Sequence, residues 1–124
     1  MEHYQIEILG ETWEVRIQEE TDERRLAECS GFTDWTERVI VVYDGRKIGN
    51  LGNPERFMIK VLRHEIIHAF LYECGLGDDW EHVDRGHDET MVDWIAHQLP
   101  KMSAVCKSAE CRMMAILEEK HDRD

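Results

Sequence analysis

The chain has 124 residues, of which 42% are hydrophobic and 34% charged, and its formal net charge is −12. These values are typical of one globular domain, here residues 1–124, and they exclude a disordered or fibrous chain. The acidic balance argues against nucleic acid and anionic membrane surfaces as partners, because both are bound mainly through clustered Lys and Arg.

The sequence also predicts where the chain resides. No run approaches the roughly 18 apolar residues that a membrane span needs. The first residues lack a basic segment followed by an apolar one, so we expect no signal peptide and a cytoplasmic location. The four cysteines lack Cys-x-x-Cys spacing, which predicts that they are reduced and mostly buried. A disulfide between Cys106 and Cys111 is possible but is not predicted.

The first part of the chain is predicted to form β-structure. Between residues 5 and 18, apolar and polar residues alternate on either side of Gly10-Glu11, which predicts a β-hairpin with its turn at that dipeptide. Residues 19–29 fit a short helix or a loop, and residues 31–34 break the pattern. A continuous β-branched run then predicts a strand over residues 36–43 with both faces covered.

Three helices are predicted to follow. Asn53 and Pro54 form a helix start, and Gly75 suits the end of that helix. Shorter helices are expected over residues 88–99 and 103–119, separated by a proline. Their predicted inward residues are Val92, Ile95, Ala96, Leu99, Val105, Ala109, Met113, Ile116 and Leu117. The predicted fold class is α+β, a small antiparallel or mixed sheet packed on the first helix, with two further helices.

The sharpest functional signal is His64-Glu65-Ile66-Ile67-His68 within the first helix. His64 and His68 are four residues apart and project from one face, so both imidazoles can bind one zinc ion. Glu65 lies beside them and can act as general base toward a metal-activated water. The pattern predicts a zinc-dependent hydrolase. The alternative is a pair of solvated histidines on a helix surface with an exposed Glu.

A catalytic zinc usually has three protein ligands, so one more is expected downstream. The acidic and histidine side chains that can supply it are Asp78, Asp79, Glu81, His82, Asp84, His87, Asp88, Glu89, Asp93 and His97. A metzincin would continue the motif with Gly at position 71 and His at position 74. Leu71 and Cys74 exclude that subclass.

Residues 89–96 carry a resemblance to known zinc peptidases. Glu89-Thr90-Met91-Val92-Asp93 resembles the Glu-x-x-x-Asp segment of gluzincins. The whole stretch is still more similar to the Glu-x-x-Ala-Asn-x-Phe-Ala segment of the ImmA/IrrE-type metallopeptidases of prophages and mobile elements. Val92 and Asp93 stand where that family prefers Ala and Asn. A strand, a glycine-rich loop and a histidine-bearing helix precede the segment in the same order, so the resemblance covers roughly residues 31–100.

The resemblance implies a minimal zincin-like domain and a zinc metalloendopeptidase. It implies that His64, His68 and Glu89 hold zinc, that Asp93 orients a ligand histidine and that Glu65 is the base. His87 and Asp93 stay open as alternatives to Glu89. The implied partner is a protein or peptide substrate, with a transcriptional repressor as the family's usual target.

Two further expectations concern the chemistry. The strand over residues 36–43 resembles the zincin edge strand, which holds an extended peptide by backbone pairing. An oxyanion donor is also needed, and Tyr72, His97, Arg85 and Tyr43 are candidates among which the sequence does not choose. The alternative function is a non-catalytic, zinc-binding interaction module of a phage or mobile element.

Overall fold

A computed structural model describes residues 2–75 and 89–123, and within the last helix the side chains of residues 94–95 and 97–119. Four strands precede two long helices. Their bounds are β1 Glu2–Ile8, β2 Glu11–Gln18, β3 Gly31–Asp34, β4 Val39–Tyr43, α1 Pro54–Glu73 and α2 Glu89–Arg123. The strand order is β1-β2-β4-β3. Only the β2–β4 pair is parallel, so the sheet is mixed. The predicted α+β class and the small mixed sheet are confirmed.

The predicted hairpin is present, but its turn lies one residue earlier than expected. Ile8 pairs with Glu11 across the strands, which leaves Leu9 and Gly10 as the two turn residues. Both have positive φ, 50° and 86°, as in the hairpin turn whose twist matches that of the flanking strands. Glu11 therefore belongs to β2 and not to the turn.

The edge of the sheet differs from the expectation. Residues 31–34 were expected to interrupt the β-structure, yet they form β3 at the end of the sheet. β4 pairs with β2 on one side and β3 on the other, so it is a central strand and the predicted edge role for residues 36–43 is wrong. The β-branched run of β4 is buried on both faces, as predicted. Ile40 and Val42 pack against the helices, and Val39 and Val41 pack against Leu26 on the other face.

Helix α1 has the predicted bounds. The Asn53 side chain accepts a hydrogen bond from the Arg56 backbone N–H, and Pro54 occupies the first turn. Gly75 follows the helix with a φ of 82°, a left-handed conformation that glycine adopts without strain. The caps therefore fix the length of the helix that carries the His-Glu-x-x-His motif.

Within the described residues a single long helix follows α1, which corrects the expected two. Helix α2 runs unbroken for 35 residues with Pro100 inside it. A proline removes one backbone hydrogen bond and usually breaks a helix. Pro100 is exposed, where water can satisfy the carbonyl that lost its partner, and apolar residues beyond it hold the helix on the sheet.

The inward face of α2 is confirmed only in its later part. Ala109, Met113 and Leu117 are buried, with Val105 and Ile116 packed against them. Ile95 and Leu99, predicted to face inward, are 40% and 58% exposed. Those two predictions are wrong: in this part of α2 Trp94 packs against the core, while Ile95 and Leu99 face solvent. The predicted inward side chains of Val92 and Ala96 lie outside the described residues.

The core lies between one face of the sheet and the two helices. β1, β2 and β4 contribute alternate residues, and α1 contributes one apolar face; the fully buried members of this layer include Ile8, Trp13, Val15, Ile40, Val42, Met58, Leu62, Ile66, Ala69 and Phe70. Each fully buried large side chain stabilises the fold by roughly 1.5–3 kcal/mol. The opposite face of the sheet packs Val39 and Val41 against Leu26 of a short 3₁₀ turn.

None of the four cysteines forms a disulfide, and none is fully buried: Cys29 and Cys111 are exposed, and Cys74 and Cys106 are half-buried. The expectation of mostly buried cysteines is therefore wrong. Across residues 2–75 and 89–123, neither helix combines the length and the apolar character that crossing a membrane requires.

Gly31 lets β3 lie directly against α1. A Cβ at this position would stand 2.6 Å from Val61 Cγ1 and 2.7 Å from the Val41 carbonyl oxygen. A methyl group cannot fit at such distances, and the Val41 oxygen belongs to the paired strand and cannot rotate away. The backbone of β3 at Gly31 therefore lies directly against the Val61 side chain of α1.

Replacing Gly31 with Ala tests this contact. We expect Gly31→Ala to destabilise the protein by about 1–3 kcal/mol, because the added methyl overpacks the interface between β3 and α1. Gly52→Ala is the control, since nothing lies within 4 Å of a Cβ at that position. Urea unfolding curves measure both, and equal stability of the two variants would contradict the close packing.

Candidate metal and catalytic site

Helix α1 holds the motif residues at its middle and is fixed at both ends. Its first turn is capped by Asn53. At its other end, the Glu73 carboxylate accepts hydrogen bonds from Trp13 Nε1 at 2.9 Å and from Arg38 Nε at 2.7 Å. Trp13 is fully buried in β2, so its N–H needs such a partner. The helix is therefore capped before the motif and tied to the sheet beyond it.

His64 and His68 present their rings to the same place. Both are exposed, and their Nε2 atoms are 3.2 Å apart. Two nitrogen ligands of a tetrahedral zinc ion, each bound at 2.0–2.1 Å, lie about 3.3 Å apart. The separation therefore fits one ion shared by both rings. The same distance also permits a hydrogen bond between the two imidazoles when one is a donor and the other an acceptor.

Glu65 points away from solvent, toward β3. It is only 7% exposed, and its Oε1 accepts a hydrogen bond from the Thr33 hydroxyl at 2.8 Å. The same hydroxyl lies 3.1 Å from the Glu65 backbone oxygen. No cation pairs with this carboxylate within the described residues. A carboxylate with so little exposure needs polar partners, and the Thr33 hydroxyl is one.

A groove opens beside this carboxylate, between the start of β3 and helix α1. Its volume is about 360 Å³, and its lining residues are Ser30, Gly31, Phe57, Lys60, Val61, His64 and Glu65. Small-molecule and peptide side-chain sites are commonly concave and mostly apolar with a few polar groups. The groove thus brings solvent and a potential ligand to one histidine and to the candidate base.

The side chain of the predicted third ligand, Glu89, lies outside the described residues. Within the described residues, no third His, Cys, Asp or Glu joins His64 and His68. Helix α2 begins at Glu89, but the side chains of Glu89 and Asp93 lie outside the described residues. So do the other candidates between positions 78 and 88, among them His87, together with the proposed oxyanion donor Arg85.

The remaining candidates for an oxyanion donor occupy different places. Tyr72 lies one turn beyond His68 on α1, where its ring stacks on Trp35 with centroids 6.2 Å apart. His97 is exposed on α2. Tyr43 packs against the Leu26 cluster on the opposite face of the sheet, which makes it wrong as a donor at this site.

Sequence reasoning missed three residues of β3 and its following turn. Gly31 sets the distance between strand and helix, Thr33 contacts Glu65, and Trp35 contacts Tyr72. The segment is only four residues long and contains a single large apolar residue, Phe32, so it has no readable alternation. The β-propensity of Phe and Thr was the one available signal.

Comparison of the chain with protein-family models, with curated proteins and with solved structures finds no significant match.

Proposed function

We propose that this chain is a zinc-dependent metallopeptidase of zincin-like type. The observation that carries the proposal is the joint placement of three side chains on α1. His64 and His68 present Nε2 atoms 3.2 Å apart, and Glu65 lies beside them as a buried carboxylate. In the proposal both histidines bind zinc, Glu89 is the third ligand and Asp93 orients a ligand histidine.

Zinc in such a site supplies a Lewis acid that polarises the scissile carbonyl and makes a water molecule more acidic. Glu65 takes a proton from the attacking water and returns it to the leaving amine. Its low exposure removes competing hydration, and the Thr33 hydrogen bond restricts its rotation. In the proposal helix α1 thus provides two of the three metal ligands and the base.

The sheet edge next to the site supports a peptide as substrate. β3 is the terminal strand, and among the described residues no strand pairs with its outer edge. The Tyr43 N–H donates to the Ser30 carbonyl oxygen, so in the antiparallel alternation Phe32 also faces β4. The backbone groups of Gly31 and Thr33 then face outward, beside Glu65, where an extended peptide can pair with them.

The resemblance to ImmA/IrrE-type metallopeptidases extends the proposal to a cytoplasmic enzyme of a prophage or mobile element that acts on a transcriptional repressor. Of the oxyanion donors considered, Tyr72 and His97 remain in the proposal, and Tyr72 is the one on the motif helix.

Zinc content after dialysis is the first test. The wild-type protein should retain about one zinc ion per chain, and His64→Ala and Glu89→Ala should lose most of it because each removes a ligand. His3→Ala, which changes an exposed histidine on β1, should retain zinc like the wild type. Elemental analysis gives the stoichiometry. Zinc retained in full by His64→Ala would overturn the proposed site.

The role of the base is tested by Glu65→Gln. This variant should still bind zinc, since Glu65 is not a proposed ligand, while hydrolysis of labelled denatured casein should fall at least about 10²–10⁴-fold because no carboxylate accepts the proton. A zinc-loaded wild type that leaves casein and other peptides intact would favour the non-catalytic binding module. Turnover retained in Glu65→Gln would exclude the proposed mechanism.

Thr33 is proposed as a positioning residue for Glu65. Thr33→Val keeps the shape of the side chain but removes the hydroxyl that donates to Glu65. We expect kcat to fall about 10-fold with KM unchanged, because a hydrogen bond to a charged group contributes roughly 1.5–3 kcal/mol. Thr33→Ser keeps the hydroxyl and should restore most of the rate. If Thr33 had only a structural role, the substitutions would lower stability, and Thr33→Val and Thr33→Ser would have the same kcat.

A further inference from the structure

The groove beside Glu65 has walls of two kinds. On one side the backbone of β3 is bare at Gly31, and on the other α1 presents Phe57 and Val61, both partly buried. Lys60, the exposed residue before Val61 on α1, lines the same groove. The groove is therefore mostly apolar with a cation at its rim, which suits a ligand with an aliphatic stem and a negatively charged end.

Among the residues that line this groove Lys60 is the cation and Glu65 the carboxylate, in a protein that is acidic as a whole. The chain carries a net −12, yet the exposed surface of α1 before the motif bears Arg56, Lys60 and Arg63. Arg63 is paired with Glu110 at 2.5 Å. In the part of the chain that the structure describes, neither Arg56 nor Lys60 has an ion-pair partner. Lys60 is therefore available to a carboxylate from outside.

The groove lies where a peptide paired with the open edge of the sheet would direct a side chain. Alternate side chains of an extended peptide point to the same side of the sheet. The Thr33 side chain points toward α1, where it contacts Glu65. A Cβ added at Gly31 would point the same way, toward Val61. A peptide paired with β3 therefore directs every second side chain toward the helix, and the one near Gly31 meets the groove.

We propose that this groove is a specificity subsite that takes an acidic side chain, Glu or Asp, of the peptide next to the bond to be cleaved, and that Lys60 selects it. The proposal rests on the proposed peptidase function and adds a substrate class to it: peptides with a carboxylate side chain at one fixed position. A Lys or Arg at that position meets like charge at Lys60 and is disfavoured.

The test compares cleavage preferences in a mixed peptide pool of random sequence. Zinc-loaded wild type should cleave with a preference for Glu or Asp at one position beside the cleaved bond, about threefold to fivefold over Lys or Arg, as one partly exposed ion pair provides. Lys60→Ala should lose this preference, and Lys60→Glu should reverse it. Mass spectrometry of the products gives the residues that flank each cleaved bond.

Lys107→Glu is the matched control, because it makes the same charge change at an exposed position on α2 and should cleave like the wild type. An acidic preference that persists unchanged in Lys60→Glu, or that is also lost in Lys107→Glu, would overturn the subsite. In that case cleavage itself would still support the peptidase.

A binding measurement separates this proposal from the catalytic one. Zinc-loaded Glu65→Gln protein is titrated with two blocked hexapeptides that differ only in a central Glu or Lys, and the ring signals of Phe57 are followed by NMR. The Glu peptide should bind several-fold more tightly, and adding Lys60→Glu should reverse the order. This result without any cleavage by the wild type supports the subsite and refutes the peptidase, whereas equal binding of both peptides refutes the subsite.

Discussion

Strand β3 lies against helix α1 with the Gly31 backbone directly on the Val61 side chain, and the other features of the candidate site depend on this contact. At Gly31 no Cβ fits between Val61 and the Val41 carbonyl oxygen. Two residues on, Thr33 reaches the Glu65 carboxylate. A bulkier residue at position 31 would push the strand away and leave Glu65 without its hydrogen bond. The packing of a short edge strand thus sets the environment of the candidate base.

The same contact explains why neighbouring residues of one motif have opposite surroundings. His64 and His68 are exposed and share a direction, while Glu65 is almost fully buried. Successive helix positions differ by about 100° around the axis, so a helix lying with one side against β3 buries one and exposes the other two. This division suits a site in which exposed imidazoles hold a metal and a shielded carboxylate moves a proton.

The anchoring of α1 shows how the fold maintains that orientation. Asn53 caps one end, and Glu73 joins the other end to Trp13 and Arg38. Rotation of the helix about its axis would break the hydrogen bonds of Glu73 and would also remove Leu62, Ile66 and Phe70 from the core. A site built on a packed and capped helix holds its groups more closely than one built on loops. Among the described residues Lys60 at the groove has no ion-pair partner, and the proposed preference for an acidic side chain follows from it.

The sequence alone determined the local features of this protein: the hairpin, the buried β-branched strand, both ends of α1 and the His-Glu-x-x-His spacing all follow from periodicity, caps and helical geometry. Only the tertiary structure decided that residues 31–34 form the edge strand, that β4 is central, and that α2 continues through Pro100. These features depend on contacts between segments distant in the chain, which carry no periodic signal within either segment. Thr33 next to Glu65 is of this kind, because 32 residues separate the two in sequence and only packing of β3 on α1 brings them together.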